Sequence, residues 1–176
     1  MTSASYQKKQ ISFPQFFSRM ISLLMDLVIL SIIVTPIMKY ITVFVFNFNF
    51  NDFLIENNLR FDSYLDFPVI LSNESFGQYM TYSKFCVFYT EILLIQFVIS
   101  APYFIFFWTK FGTTPSKLFF KIKIVDYETH KNPTLRQSCI RYIAYILIPI
   151  SIFYILFSKN SRALHDNIAG TIAIKT

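Results

Sequence analysis

The chain has 176 residues, of which 54% are apolar and only 15% are charged, and its formal net charge is +6. This is the length of one domain, but soluble domains carry about 25% charged residues. A basic surplus in a soluble protein would suggest a nucleic-acid partner. Here the basic residues cluster beside long apolar runs, as they do in the cytoplasmic loops of membrane proteins. We therefore expect an all-helical polytopic membrane protein whose partner is the lipid bilayer, with no nucleic acid bound.

The first apolar run, residues 19–39, predicts a spanning helix that follows a cytoplasmic N-terminus, residues 1–18. About 20 apolar residues cross the hydrocarbon core of a bilayer. A cleaved secretory signal is not expected, because the run is too long and no small-x-small site follows it. The run nevertheless contains Asp26, which would cost roughly 2.5–3.5 kcal/mol at the centre of a membrane helix. Asp26 therefore requires a compensating partner.

The next segment, residues 40–84, predicts an extracytoplasmic loop, because its five acidic residues outnumber its two basic ones. Phenylalanine alternates with Val and Asn from Phe44 to Phe50. This alternation fits either a β-strand or an aromatic belt at the membrane interface.

A second spanning helix is predicted over residues 85–108, and a basic cytoplasmic loop follows it over residues 109–138. Glu91 falls near the outer surface and Gln96 near the middle of this helix, so Gln96 is the expected neighbour of Asp26. Charged and branched apolar residues alternate over residues 121–126, which predicts a strand with one wet face.

The third apolar segment, residues 139–157, has two interpretations. Its apolar part is short, Arg141 stands at its entrance and Pro149 lies in its middle. It forms either a re-entrant or interfacial helical hairpin bent at Pro149, or a third span. The tail, residues 158–176, is basic and ends in a second alternating stretch, residues 171–175. Because two such strands pair most simply on one side of the membrane, we favour the hairpin, with both termini in the cytoplasm.

Three sequence blocks resemble the RDD family of small membrane proteins, named for one arginine and two aspartates. They are the Arg19/Asp26 pair, FGTTPSKLFFKIKIVD after the second helix, and RALHDNIAGTIAIKT at the end. The family arginine matches Arg19, and its aspartates match Asp26 and Asp166. The resemblance covers nearly the whole chain except residues 40–84, which look like an insertion.

The chain departs from the family pattern at two places. The family usually reads Gly-x-Thr-x-Gly-Lys after the second helix, where this chain has Gly112, Thr114, Ser116 and Lys117. A further family glycine falls on Lys121. The resemblance implies a role in transport, because cation/proton antiport has been proposed for some members.

The candidate ion or proton site consists of the three signature residues Arg19, Asp26 and Asp166. Arg19 and Asp26 are about 10.5 Å apart along a helix, too far for a direct contact. We expect Arg19 to contact Asp166 instead, and Asp26 to contact Gln96, Arg141 or an entering cation. The secondary candidates are Glu91, Gln96, Arg141 and His165.

Other classes of site are not indicated. No metal-ligand spacing, cofactor motif or nucleophile–base pair is present, so we expect neither an enzyme nor a cofactor. Cys86 and Cys139 are interpreted as structural thiols. The basic stripe at Lys117, Lys121 and Lys123 could contact anionic lipid.

Two functions fit these features. One is a transporter, or transporter subunit, for protons or monovalent cations that uses Asp26 and needs a homo-oligomer or a membrane partner to enclose a path. The other is a non-transporting scaffold or assembly protein whose buried charges are structural. In both cases the predicted location is the inner (plasma) membrane.

Overall fold

A computed structural model describes residues 13–148, 150, 151, 154 and 162–176. The described chain is mostly helical, with one small antiparallel sheet. Its helices and strands are α1 (Phe16–Glu56), α2 (Phe67–Leu71), α3 (Glu74–Tyr79), α4 (Tyr82–Phe111), α5 (Pro115–Phe119), β1 (Ile122–Asp126), α6 (Leu135–Ile143), α7 (Leu164–Ile168) and β2 (Thr171–Lys175). The chain divides into two compact units, residues 29–100 and the remainder.

Both predicted spanning segments lie within helices long and apolar enough to cross a membrane, α1 and α4. Only 22% of the most apolar stretch of α1, and 17% of that of α4, is buried inside the chain. A core helix of a soluble protein would instead be mostly buried. Each helix is longer than predicted, and α1 continues to Glu56 with one non-helical residue at Phe50.

The strand predicted as one alternative for residues 44–50 is wrong, because this segment is helical. Phe46, Phe50 and Phe53 recur at helical spacing and are nearly fully buried. They form the core of the unit spanning residues 29–100, together with Phe61 and Ile70 from the segment that follows. Phe46 and Phe50 thus belong to one buried helical face, whereas the alternating Phe44 and Phe48 are exposed.

The Asn side chains in this stretch are accommodated by bonds to the helix itself. The amide of Asn47 donates to the carbonyl of Val43, and that of Asn49 donates to the carbonyl of Val45, each at 3.0 Å. The predicted 40–84 loop therefore begins with helix and ends with short helical turns and the first residues of α4.

The other unit, residues 1–28 and 101–176, contains the sheet. β1 and β2 pair antiparallel, with Ile124 opposite Ala173, so the predicted pairing of the two alternating stretches is confirmed. Ile122, Ile124 and Ile172 are buried on the sheet.

Two residues that precede β1, Gly112 and Lys121, have a positive φ. Gly112, directly after α4, has φ +68°, and its carbonyl accepts a hydrogen bond from the amide of Ile124 at 2.6 Å. Lys121, directly before β1, has φ +55°. This left-handed conformation favours glycine, the residue that the family resemblance leads one to expect at this position.

The third apolar segment begins as helix earlier than predicted. α6 starts after Thr134, whose hydroxyl and the side chain of Gln137 cap each other's backbone amides. A 3₁₀ turn, Ala144–Leu147, continues α6. Pro149 lies outside the described residues, so the bend there stays a prediction.

Candidate functional site

Asp26 lies at the centre of a buried polar cluster and is 0% exposed. Its Oδ2 accepts hydrogen bonds from Lys117 Nζ at 2.8 Å and from Thr114 Oγ1 at 2.6 Å. Its Oδ1 accepts one from the Tyr103 hydroxyl at 3.2 Å. An ammonium and two hydroxyl groups thus offset the cost of burying this carboxylate.

The short helix α5 delivers two of these three groups. Thr114 has extended backbone at the N-cap position and Pro115 opens the helix, yet the Thr114 hydroxyl makes no capping bond and turns to Asp26 instead. Ser116 Oγ donates to the carbonyl of Ser22 at 2.6 Å. Together these bonds fix α5 against the second and third turns of α1.

Two of the predicted partners of Asp26, Gln96 and Arg141, are wrong, and an entering cation stays a prediction. Gln96 is exposed, and Arg141 bonds Asp166 rather than Asp26. Both carboxylate oxygens are instead taken by Lys117, Thr114 and Tyr103, so the ion pair joins residues 91 positions apart in the sequence.

Lys117 does not lie on an exposed stripe with Lys121. Its side chain is 7% exposed, and its charge is engaged by Asp26. Lys121 is exposed and Lys123 is half-buried, so the lipid contact stays a prediction for these two residues.

A second charged cluster surrounds Asp166. Arg19 Nη2 lies 2.6 Å from Oδ2, which confirms the predicted contact between the first helix and the tail. Arg141 Nη1 bonds Oδ1 of the same carboxylate and also donates to Thr171 Oγ1 at 2.7 Å. The Arg141 guanidinium carbon lies 5.1 Å from the centre of the Trp108 ring.

In this cluster the Asp166 carboxyl group is ionised and the His165 imidazole is neutral. Burial alone would raise the pKa of Asp166, but the guanidinium groups of Arg141 and Arg19 hold it well below its usual range. Burial lowers the pKa of His165 to about 3. Its Nδ1 lies 3.1 Å from the hydroxyl of Ser151.

The remaining predicted candidate, Glu91, accepts a hydrogen bond from Asn49 at 2.8 Å. Among the described residues, no three His, Cys, Asp or Glu side chains are grouped so that they could hold a metal ion. Cys86 and Cys139 are free thiols.

The structure therefore adds Lys117, Thr114 and Tyr103 to the predicted site. Thr114 and Lys117 fall on the Thr and Lys of the family pattern Gly-x-Thr-x-Gly-Lys, and that match was the available signal for them. Tyr103 carried no comparable signal, because it is one of 11 tyrosines in a highly aromatic chain.

The chain is similar in sequence to a protein-family model and to an uncharacterised relative. An uncharacterised protein of Rickettsia prowazekii (strain Madrid E) is 36% identical over 172 residues, which cover 96% of this chain and 99% of that relative. No solved structure matches the chain. The model of the RDD family matches residues 13–170, nearly the whole length, including Arg19, Asp26 and Asp166. The chain belongs to the RDD family.

Proposed function

We propose that this protein is a multi-pass protein of the inner (plasma) membrane that exchanges protons for monovalent cations at the Asp26–Lys117 pair. Membrane insertion is supported by α1 and α4, which are long, apolar and largely unburied within the chain.

The proposed topology places both termini in the cytoplasm. β2, at the end of the chain, pairs with β1, which follows α4, and Asp166 contacts Arg19 near the start of α1. The tail, the basic loop and the entrance of α1 therefore share one side, which favours the hairpin for the third apolar segment. The basic surplus of that side assigns it to the cytoplasm.

The exchange mechanism follows from what surrounds Asp26. The Lys117 ammonium lies beside the Asp26 carboxylate, and the hydroxyl groups of Thr114 and Tyr103 contact the same carboxylate. Carboxylate and hydroxyl oxygens are ligands that a monovalent cation also accepts. A cation that takes the position of the ammonium displaces Nζ. An ammonium buried without its carboxylate is costly, so Lys117 releases its proton. One positive charge enters the pair and one leaves it.

The observation that carries the proposal is the identity of the counter-charge. Asp26 is neutralised by a lysine, which can release a proton, whereas Asp166 is held by two arginines, which cannot. We therefore assign exchange to Asp26 and a structural role to Asp166. Two spanning helices cannot enclose a path, so a homo-oligomer or a membrane partner is required.

A scaffold or assembly function is the alternative, and one observation favours it. Both oxygens of Asp26 are already engaged, and the adjacent bond from Ser116 to Ser22 closes the same contact. In that case the pair only fixes α5 on α1.

Proteoliposomes that contain a pH-sensitive dye separate the two functions. We expect pulses of Na⁺, K⁺ or Li⁺ to move protons with the unchanged protein and with E128Q, a control at an exposed acid of the same unit. D26N should abolish the signal. The double variant D26N/K117Q removes both charges, so it should recover the thermal stability lost in D26N without recovering exchange.

Two results would overturn exchange at this site. One is proton movement retained in folded D26N. The other is the absence of cation-dependent proton movement with the unchanged protein. That result would favour the scaffold function.

A further inference from the structure

A partly open cavity of about 70 Å³ lies within the unit that contains the sheet. Its wall is mostly apolar and includes Met20, Leu23, Ile124 and Ile148. Three cationic side chains also line it, those of Arg19, Lys117 and Arg141.

The charges around this cavity do not balance. Lys117 is neutralised by Asp26, but Arg19 and Arg141 share the single carboxylate of Asp166. The stretches of chain outside the described residues contain no Asp or Glu, so no acid there can offset the difference. His165, which also lines the cavity, is neutral. The cluster around Asp166 therefore carries a net charge of +1.

Arg141 is the more deeply buried of the two arginines that share Asp166. It is 2% exposed, and its Nε is buried without a hydrogen-bond acceptor among the described residues. The face of Trp108 covers one side of the guanidinium but is a weaker partner than an anion. An unbalanced cation at this depth favours an anionic ligand.

The position of the cavity indicates what kind of anion would fit. Phe16, Met20 and Leu23 belong to the first two turns of α1, where the proposed span enters the bilayer. A cavity of about 150 Å³ holds a molecule the size of benzene. The enclosed space here is smaller, so it admits only part of a hydrocarbon chain, and the rest must leave through the opening.

We propose that this cavity binds an anionic amphiphile, with its negative head at Arg19 and Arg141 and the start of its hydrocarbon chain along Met20, Leu23 and Ile148. An acidic phospholipid and a free fatty acid share this chemistry. The inference requires membrane placement but not cation exchange, so it can hold whether or not Asp26 exchanges ions.

Thermal unfolding of the delipidated full chain in detergent tests the proposal. We expect phosphatidylglycerol or oleate to raise the Tm saturably, while phosphatidylcholine and inorganic phosphate at matched ionic strength leave it unchanged. A response to phosphatidylglycerol alone identifies a lipid head group, and a response to oleate alone identifies a carboxylate.

Two neighbouring leucines provide matched variants. Leu23→Phe fills the cavity, so the concentration of amphiphile that gives half of the Tm increase should rise at least tenfold. Leu24→Phe, at a residue that is 53% exposed, should leave that concentration unchanged. Native mass spectrometry of the unchanged protein, which needs no variant, should show one retained acidic amphiphile. The proposal is overturned if phosphatidylcholine or phosphate raises the Tm equally, if folded Leu23→Phe responds like Leu24→Phe, or if no acidic amphiphile is retained.

Discussion

Asp26 shows how a single residue organises its surroundings. A carboxylate in an apolar helix must be neutralised or bonded, and here it receives an ion pair and two hydroxyl hydrogen bonds. The sequence indicated that a partner was needed. It did not identify Lys117 as that partner. Comparing positions along two straight spanning helices finds only partners within those helices, whereas Lys117 reaches Asp26 from α5.

Arg19 and Asp166 were easier to predict. Both are signature positions, and the tail that carries Asp166 ends in a strand pattern that matches the one after α4. The contact is present at 2.6 Å. The second guanidinium on Asp166, from Arg141, was not predicted, since the sequence suggests Arg141 only as a partner for Asp26.

Lys121 provides a prediction about backbone strain. Its φ of +55° costs a non-glycine residue about 1–2 kcal/mol, partly offset by the greater freedom of glycine in the unfolded chain. We expect Lys121→Gly to stabilise the protein by about 0.5–1 kcal/mol in thermal unfolding. Lys123→Gly, inside β1, is the control and should destabilise it. A loss of stability in Lys121→Gly would show that its side chain matters more than its backbone.

At the scale of elements, α5 links the charged residues to the fold. This helix of five residues carries Lys117 to Asp26 and Ser116 to the backbone of α1, then leads into β1. The strands could be predicted because their period of two is unambiguous. The helical nature of residues 44–56 could not, because alternating Phe and Asn also match a strand over a short window.

A substitution at Gly112 tests how much the turn between α4 and α5 contributes to stability. A Cβ there would lie 2.9 Å from the carbonyl oxygen of Ile124, and φ is +68°. Gly112→Ala should therefore lower the free energy of unfolding by about 2–3 kcal/mol. Gly77→Ala is the matched control, because nothing lies within 4 Å of its Cβ position and alanine favours the helix. Equal effects of the two variants would contradict the role of the Gly112 turn.

At the scale of the whole molecule, the proposed topology rests on the contacts that hold the tail to the basic loop and to α1. Charge patterning alone left the third apolar segment open between a hairpin and a span. The sheet and the Arg19–Asp166 pair favour the hairpin, because a true third span would place these partners on opposite sides.

A cysteine added after Thr176, with Cys86 and Cys139 replaced by serine, tests this topology. An impermeant thiol reagent should label it only after lysis of the cells. Prompt labelling in intact cells would place the tail outside and would be incompatible with the sheet as proposed for the membrane-inserted protein.

The most direct test of the central proposal is to count the protons released when a cation binds the purified protein in weakly buffered detergent solution. Exchange at the Asp26–Lys117 pair predicts about one proton released for each Na⁺, K⁺ or Li⁺ bound, and K117M should bind the cation without releasing one. Cation binding to the unchanged protein without proton release, or no binding at all, would contradict the proposal.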